Sequence, residues 1–159
     1  MNAIPLVFAV LAHVGCGAER GAAPPPEPAR IAERPAEQPP TLEGQLDAPP
    51  LAWIETASGS YWLAYSSYCW ARACADFVSA AERDDLPVVA VRRGEVVRFH
   101  LGFEPTEINV SYGSTDLGVR EVTVGRDAAW RVSFEGTMVL FARSARGGDA
   151  SYVAELEFR

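Results

Sequence analysis

The sequence predicts an all-β protein, an antiparallel β-sandwich. Three observations lead to this fold class. From residue 51 onward, short apolar runs alternate with polar residues at period two, which is the pattern of half-buried strands. Gly, Pro and Asp separate these runs at close intervals. Eight or nine such strands with one helical turn are typical of a sandwich.

The predicted strands follow one another closely along the chain. The clearest alternation lies in residues 95–103, where Val97 and Phe99 share one face and Arg98 points the other way. The buried faces of such strands are expected to form one core. The predicted strands span residues 51–56, 60–66, 86–92, 95–103, 107–113, 117–124, 128–134, 137–143 and 150–158.

A cysteine-containing corner follows the second run. Cys69 and Cys74 enclose four residues and meet disulfide geometry if the chain turns between them. We expect them to be bridged in an oxidising compartment. A metal or redox role would need further ligands, and the domain offers only His100, so the sequence predicts no metal site and no cofactor. One short helix is predicted after the corner, over residues 75–83 with Asp76 as its N-cap.

The amino-terminal residues predict export. Residues 4–14 form an apolar run, which is shorter than the roughly 20 residues of a bilayer-spanning helix. An apolar run followed by small residues is typical of a signal peptide, predicted here as residues 1–15.

The end of this run resembles the lipobox of bacterial lipoprotein precursors. The matching residues are Val14-Gly15-Cys16, and the resemblance implies that Cys16 carries a diacylglycerol. With Gly17 next, it also implies an outer-membrane lipoprotein that faces the periplasm or the cell surface. Cleavage after Ala18 by an ordinary signal peptidase is the alternative, and it would give a soluble secreted protein.

Residues 16–50 are predicted to be a disordered tether between the anchor and a domain at residues 51–159. The tract is rich in proline, acids and arginine and holds almost no large apolar side chain, so it cannot bury enough surface to fold. Proline-rich tracts also bind aromatic-lined grooves, but its position after an anchor favours a spacer. The net charge of the chain is -7, which argues against binding to nucleic acid.

Residues 60–76 combine the two domain cysteines with a run of aromatic side chains. If residues 60–66 form one strand, its aromatic rings point to both faces, and some must lie at the surface. Exposed Tyr and Trp are common anchors for proteins and sugars. The alternative is that a tryptophan packs over the disulfide as part of the core. The candidate binding surface is Tyr61, Trp62, Tyr65, Tyr68 and Trp70.

The domain resembles small β-sandwich domains of bacterial lipoproteins and secreted proteins that have no assigned activity. The residues that match are Ser-Tyr-Cys-Trp at 67–70, Cys-Ala-Asp at 74–76, Gly-Glu at 94–95 and Gly-Asp-Ala-Ser-Tyr at 148–152. The run at residues 87–99 looks like the paired first strands of immunoglobulin-like bacterial domains. The resemblance implies an immunoglobulin-like sandwich and export, and it transfers no catalytic residues.

These features together predict a non-enzymatic lipoprotein of the bacterial cell envelope. A lipid anchor would hold it at the membrane, and the clipped sandwich on its tether would contact an envelope protein or glycan. The alternative hypothesis is a small secreted or envelope hydrolase that uses His100 with nearby acids. No Gly-x-Ser-x-Gly motif accompanies His100 in the sequence.

Overall fold

The fold is described by a computed structural model for residues 33–37, 47–114 and 118–159. The predicted signal peptide, the predicted lipidation site at Cys16 and most of the predicted tether lie outside the described residues. Within the described part of the chain, no helix has the length and apolar character needed to cross a bilayer.

The described part of the chain contains eleven strands of 3 to 10 residues. They are β1 (Trp53–Thr56), β2 (Gly59–Trp62), β3 (Ala64–Trp70), β4 (Ala73–Asp76), β5 (Val88–Val91), β6 (Val96–His100), β7 (Pro105–Ser114), β8 (Gly118–Thr123), β9 (Ala129–Arg131), β10 (Gly136–Ser144) and β11 (Asp149–Phe158).

The strands form two sheets. Sheet A has the order β2-β1-β6-β9, and sheet B has the order β4-β3-β11-β10-β7-β8, with β5 added to the edge of β11. Neighbouring strands are antiparallel except for β5 and β11, which run parallel. The predicted antiparallel sandwich is therefore confirmed. The order β1-β6-β9 against β7-β10-β11 is also compatible with an immunoglobulin-like arrangement.

The core follows the alternation that the sequence predicted. In β6, Val97 and Phe99 are buried, whereas Val96 and Arg98 are exposed. Each large side chain that is removed from water in this way stabilises the fold by about 1.5–3 kcal/mol. The fully buried side chains of largest volume are Tyr152, Ile54, Leu63, Met138, Leu140 and Leu156.

The predicted disulfide is confirmed. Cys69 and Cys74 are directly paired residues of the β3–β4 hairpin, and their Cα atoms lie 4.1 Å apart. The strand after the β10–β11 turn passes close to this hairpin. A Cβ atom on Gly148 would lie 2.9 Å from the carbonyl oxygen of Cys69, and the φ angle of Gly148 is +89°. Only glycine fits that approach without strain.

The short helix lies within the predicted span, but it is much shorter and begins later. Asp76 does not cap a helix, because it is the last residue of β4 and pairs with Ser67. A single 3-10 turn spans Ala80–Glu82 instead. The hydroxyl of Ser79 accepts a hydrogen bond from the N–H of Ala81 and so caps this turn.

Residues 47–50, which the sequence assigns to the tether, contact the sandwich. Pro49 is buried. The hydroxyl of Tyr65 donates to the carbonyl oxygen of Pro49 at 2.5 Å, and the hydroxyl of Tyr152 donates to that of Pro50 at 2.6 Å. A buried tyrosine hydroxyl needs such a partner. These hydrogen bonds therefore hold Pro49 and Pro50 against the strands.

These two tyrosines make the stability of the domain sensitive to alkaline pH. Burial, reinforced by a neighbouring tyrosine, raises the pKa of Tyr65 to about 12 and also raises the pKa of Tyr152. The unfolded chain therefore releases these protons first, near pH 10. We expect the free energy of unfolding to fall as the pH rises from about 10 to 12, by about 1.4 kcal/mol per pH unit for each tyrosine.

Urea unfolding at a series of pH values between about 8 and 12 measures this slope. The variant Tyr65→Phe is the control, because it keeps the ring and removes the ionisable group. Its slope should be shallower than that of the wild type, and an identical slope would contradict the prediction.

Candidate functional site

The sequence predicts one strand over residues 60–66, but the structure divides the aromatic run between two strands. β2 ends at Trp62 in sheet A, and β3 begins at Ala64 in sheet B. Leu63 between them is fully buried, and its N–H donates to the carbonyl oxygen of Ala52 at 3.0 Å. The chain therefore crosses from one sheet to the other at Leu63, and Tyr61 and Trp62 lie just before the crossing.

Burial removes Tyr68 from the candidate binding surface and leaves Tyr65 with only a small exposed part. Tyr65 and Tyr68 are only 6% and 3% exposed, and both belong to the core. Residues three apart in a strand normally point to opposite faces. The register between β3 and β11 shifts between Tyr65 and Ser67, which leaves Ser66 as an extra residue. This bulge brings both tyrosines to the inner face.

The other three candidates are half-buried, and they lie in two places. The ring of Trp70 packs against Phe103, with centroids 4.9 Å apart, and it partly covers the core near the disulfide. Tyr61 and Trp62 instead line an open groove. This groove has a volume of about 760 Å³ and is called the Trp62 groove below.

The walls of the Trp62 groove come from several parts of the chain. β2 contributes the two aromatic side chains, and the starts of β3 and β5 contribute the base. The irregular segment between β4 and β5 forms the opposite wall, and Glu37 lies at the rim. The lining residues are Glu37, Tyr61, Trp62, Ala64, Tyr65, Phe77, Val78, Glu82, Arg83, Asp84, Asp85, Pro87 and Val88.

A row of paired side chains fixes the position of Trp62. Trp62 is the cross-strand partner of Trp53 in β1, and Trp53 is the partner of His100 in β6. Directly paired residues share one face of a sheet. The rings of Trp53 and His100 stack with centroids 3.6 Å apart and planes 6° apart. Trp62, on the edge strand, therefore lies beside Trp53, whose ring is held by its stacking on His100.

Arg83 fixes the opposite wall. Its side chain is only 10% exposed, and its guanidinium donates to the carbonyl oxygen of Tyr65 at 2.6 Å. It also donates two hydrogen bonds to the carboxylate of Asp85, at 2.8 and 2.9 Å, and lies over the ring of Phe77. The hydrogen bonds from Arg83 lower the pKa of Asp85. Arg83 therefore ties this segment to β3.

The rim of the Trp62 groove is negatively charged. Glu37, Glu82, Asp84 and Asp85 are exposed acidic residues that line it. Among the lining residues that the structure describes, Arg83 is the one basic residue, and it is paired with Asp85. Two exposed valines, Val78 and Val88, add an apolar part to the walls. The groove thus combines aromatic and apolar walls with an acidic rim.

Sequence reasoning missed this second wall for a physical reason. The sequence predicts a helix over residues 75–83, whereas β4 ends at Asp76 and a loop with a single 3-10 turn leads from it to β5. Nothing in the local pattern indicates that this loop faces Tyr61 and Trp62. The one usable signal was the lone Arg83 followed closely by Asp85, which is a pair able to close a loop.

His100 lies outside the Trp62 groove. Its Nε2 atom is 3.0 Å from a carboxylate oxygen of Glu55, and its ring is stacked on Trp53. Within residues 33–37, 47–114 and 118–159, no hydroxyl or thiol is hydrogen-bonded to this imidazole. His100 thus has an acidic partner but no nucleophilic side chain bonded to it. A catalytic triad needs both, whereas an ion pair between neighbouring strands needs only the acid.

No protein-family model matches the chain, and neither the curated proteins nor the solved structures gave a match. Among the residues that the structure describes, no three His, Cys, Asp or Glu side chains are grouped to hold a metal ion. The Trp62 groove is therefore the candidate functional site of the domain.

The role of Arg83 leads to a prediction about stability. We expect Arg83→Met to lower the free energy of unfolding by about 1.5–3 kcal/mol, because it removes charge-assisted hydrogen bonds from a mostly buried guanidinium. Urea unfolding measures the change.

Arg143→Met is the matched control. Arg143 also has an acidic partner, Glu107 at 3.3 Å, and lies over an aromatic ring, that of Phe141, but its side chain is 57% exposed. Its loss should cost less than about 1 kcal/mol. Equal losses for the two variants would show that Arg83 does not hold the wall.

Proposed function

We propose that this protein is a non-enzymatic lipoprotein of the bacterial cell envelope. In this proposal a lipid on Cys16 holds it at the membrane, and a proline-rich tether presents the disulfide-clipped sandwich to an envelope protein or glycan. The observation that supports the interaction function is the Trp62 groove. The lipobox-like residues before Cys16 support the proposed lipid anchor.

Two properties of the Trp62 groove support an interaction function. Tyr61, Trp62 and Phe77 supply large rigid rings that remain accessible, which is the chemistry of interface anchors. Val78 and Val88 are 64% and 44% exposed, so apolar surface faces water there. Soluble domains rarely leave such groups clustered unless a partner covers them.

The hydrolase alternative receives less support. His100 has its acidic partner in Glu55, but it is engaged with Trp53 and stands outside the Trp62 groove. The groove's own basic residue, Arg83, is held by structural hydrogen bonds. A binding function uses the groove residues as they are, whereas hydrolysis by His100 would also need a substrate site beside this imidazole, and the Trp62 groove does not include it.

The anchor is tested by the substitution Cys16→Ser. We expect the wild-type protein to sediment with membranes and the variant to be soluble, because the sulfur that carries the lipid is gone. The control is the double variant Cys69→Ala/Cys74→Ala, which removes the other cysteines and should still sediment with membranes. Unchanged partition of Cys16→Ser would refute the anchor.

The interaction surface is tested by photo-crosslinking in the native envelope. A photoreactive residue at Val78 should give discrete adducts, because Val78 lines the Trp62 groove. The control position is Val119, which is 72% exposed but lies on β8, at the opposite end of sheet B. Sensitivity of the adduct to a protease or to a muramidase tells a protein from a glycan. Equal labelling from both positions would contradict the assignment.

A further inference from the structure

Part of the proline-rich tract is already seated at the Trp62 groove. Pro35 is buried although its neighbours Arg34 and Ala36 are exposed. Two residues later, the carbonyl oxygen of Glu37 accepts a hydrogen bond of 3.0 Å from the indole Nε1–H of Trp62. Glu37 is also one of the residues that line the groove. The groove's indole donor therefore already binds the main chain of a proline-containing segment.

This contact has the chemistry by which aromatic grooves recognise proline-containing segments. The indole N–H is a donor only, so it selects a carbonyl oxygen. Proline has no N–H and few accessible backbone conformations, so its segment offers carbonyl groups at a low cost in entropy. Aromatic-lined grooves use this combination to bind proline-rich ligands. The observed segment thus indicates the class of ligand that fits.

The charge of the seated segment does not match its surroundings. Glu37 adds a fourth carboxylate to a rim that already holds Glu82, Asp84 and Asp85. Arg83 compensates Asp85 alone. No ion pair of Glu37, Glu82 or Asp84 is found in the described part of the chain. A basic side chain in the place of Glu37 would be attracted by this rim, whereas Glu37 is repelled.

We propose that the Trp62 groove is a receptor for a proline-containing segment of a partner protein that carries Arg or Lys where this chain has Glu37. Residues 33–37 are a weak built-in occupant of the same site, and the partner displaces them. This inference rests on the proposed interaction function and selects a basic polypeptide as the ligand. The apparent affinity for the partner is reduced by the fraction of molecules in which the built-in segment is bound.

The charge preference is tested first within the full chain. Glu37→Arg should raise the midpoint of thermal unfolding by about 2–5 °C at low salt, because the seated segment then attracts the rim. Glu33→Arg is the control, since it makes the same charge change in the same segment, is exposed and does not line the groove. A rise that Glu33→Arg matches would overturn the proposal.

Binding in trans is tested with two labelled decapeptides. One has the natural sequence of residues 31–40, and the other carries Glu37→Arg. In fluorescence anisotropy against the full chain, the second peptide should bind at least about 10-fold more tightly at low salt. The chain variant Glu82→Gln/Asp84→Asn should weaken it about 3- to 10-fold. The control variant Glu104→Gln/Glu121→Gln, with equal net charge and exposed sites outside the groove, should not.

Three outcomes would overturn the proposal. In the first outcome, both peptides bind equally well and neither binds the Trp62→Phe variant. The groove would then bind polypeptides but would not prefer a basic residue. Equal weakening by the two pairs of acid substitutions would mean that net charge alone attracts the peptide. Binding of neither peptide would exclude this ligand class, while the crosslinks from Val78 would still decide the interaction function. The acid variants change exposed side chains only, so these outcomes do not depend on a variant with an altered core.

Discussion

The rest of the structure depends on how β11 shares its two edges. β10 pairs with one edge along nearly the whole strand, whereas β3 and β5 divide the other edge. Val153 pairs with Ala64 at the start of β3, and Glu155 pairs with Val88 at the start of β5. These two strands therefore begin at neighbouring positions and run away from each other. The segments that lead into them arrive at the same point, and the Trp62 groove is the space between those segments.

The sequence predicted those parts of the fold that depend on local pattern. Alternation located most of the strands to within a few residues because one face of each is buried, as for Val97 and Phe99. It joined β2 to the start of β3 and missed β4. Counting cysteines predicted the bridge between Cys69 and Cys74. The β3–β4 pairing that this bridge accompanies also explains the error over the helix. β4 extends to Asp76, so the first residues of the predicted helix belong to a strand, and only Ala80–Glu82 form a 3-10 turn. Tertiary pairing overrode a weak capping signal there.

The candidate site was only partly predictable, because it is built from contacts between distant residues. The aromatic run was visible, and Tyr61 and Trp62 do line the groove. The crossing at Leu63 and the bulge at Ser66 decide which of its rings face outward. The aromatic run by itself indicates neither feature. The opposite wall depended on the pairing of β5 with β11, which no alternation within residues 86–92 reveals. A groove between two strand starts is thus a property of topology and not of composition.

Residues of the proline-rich tract contact the sandwich through three hydrogen bonds of one kind, each from an aromatic side chain to a backbone carbonyl group. The three bonds differ in how deeply they are buried. Tyr65 and Tyr152 donate to the carbonyl groups of Pro49 and Pro50 from buried rings, and Trp62 donates to that of Glu37 at the surface. A hydrogen bond in the interior has no competing water, and breaking it leaves a buried polar group unpaired. At the surface, water replaces a lost partner at little cost. The inner bonds therefore hold Pro49 and Pro50 against the strands, whereas the bond of Trp62 can exchange one segment for another, as a binding groove requires.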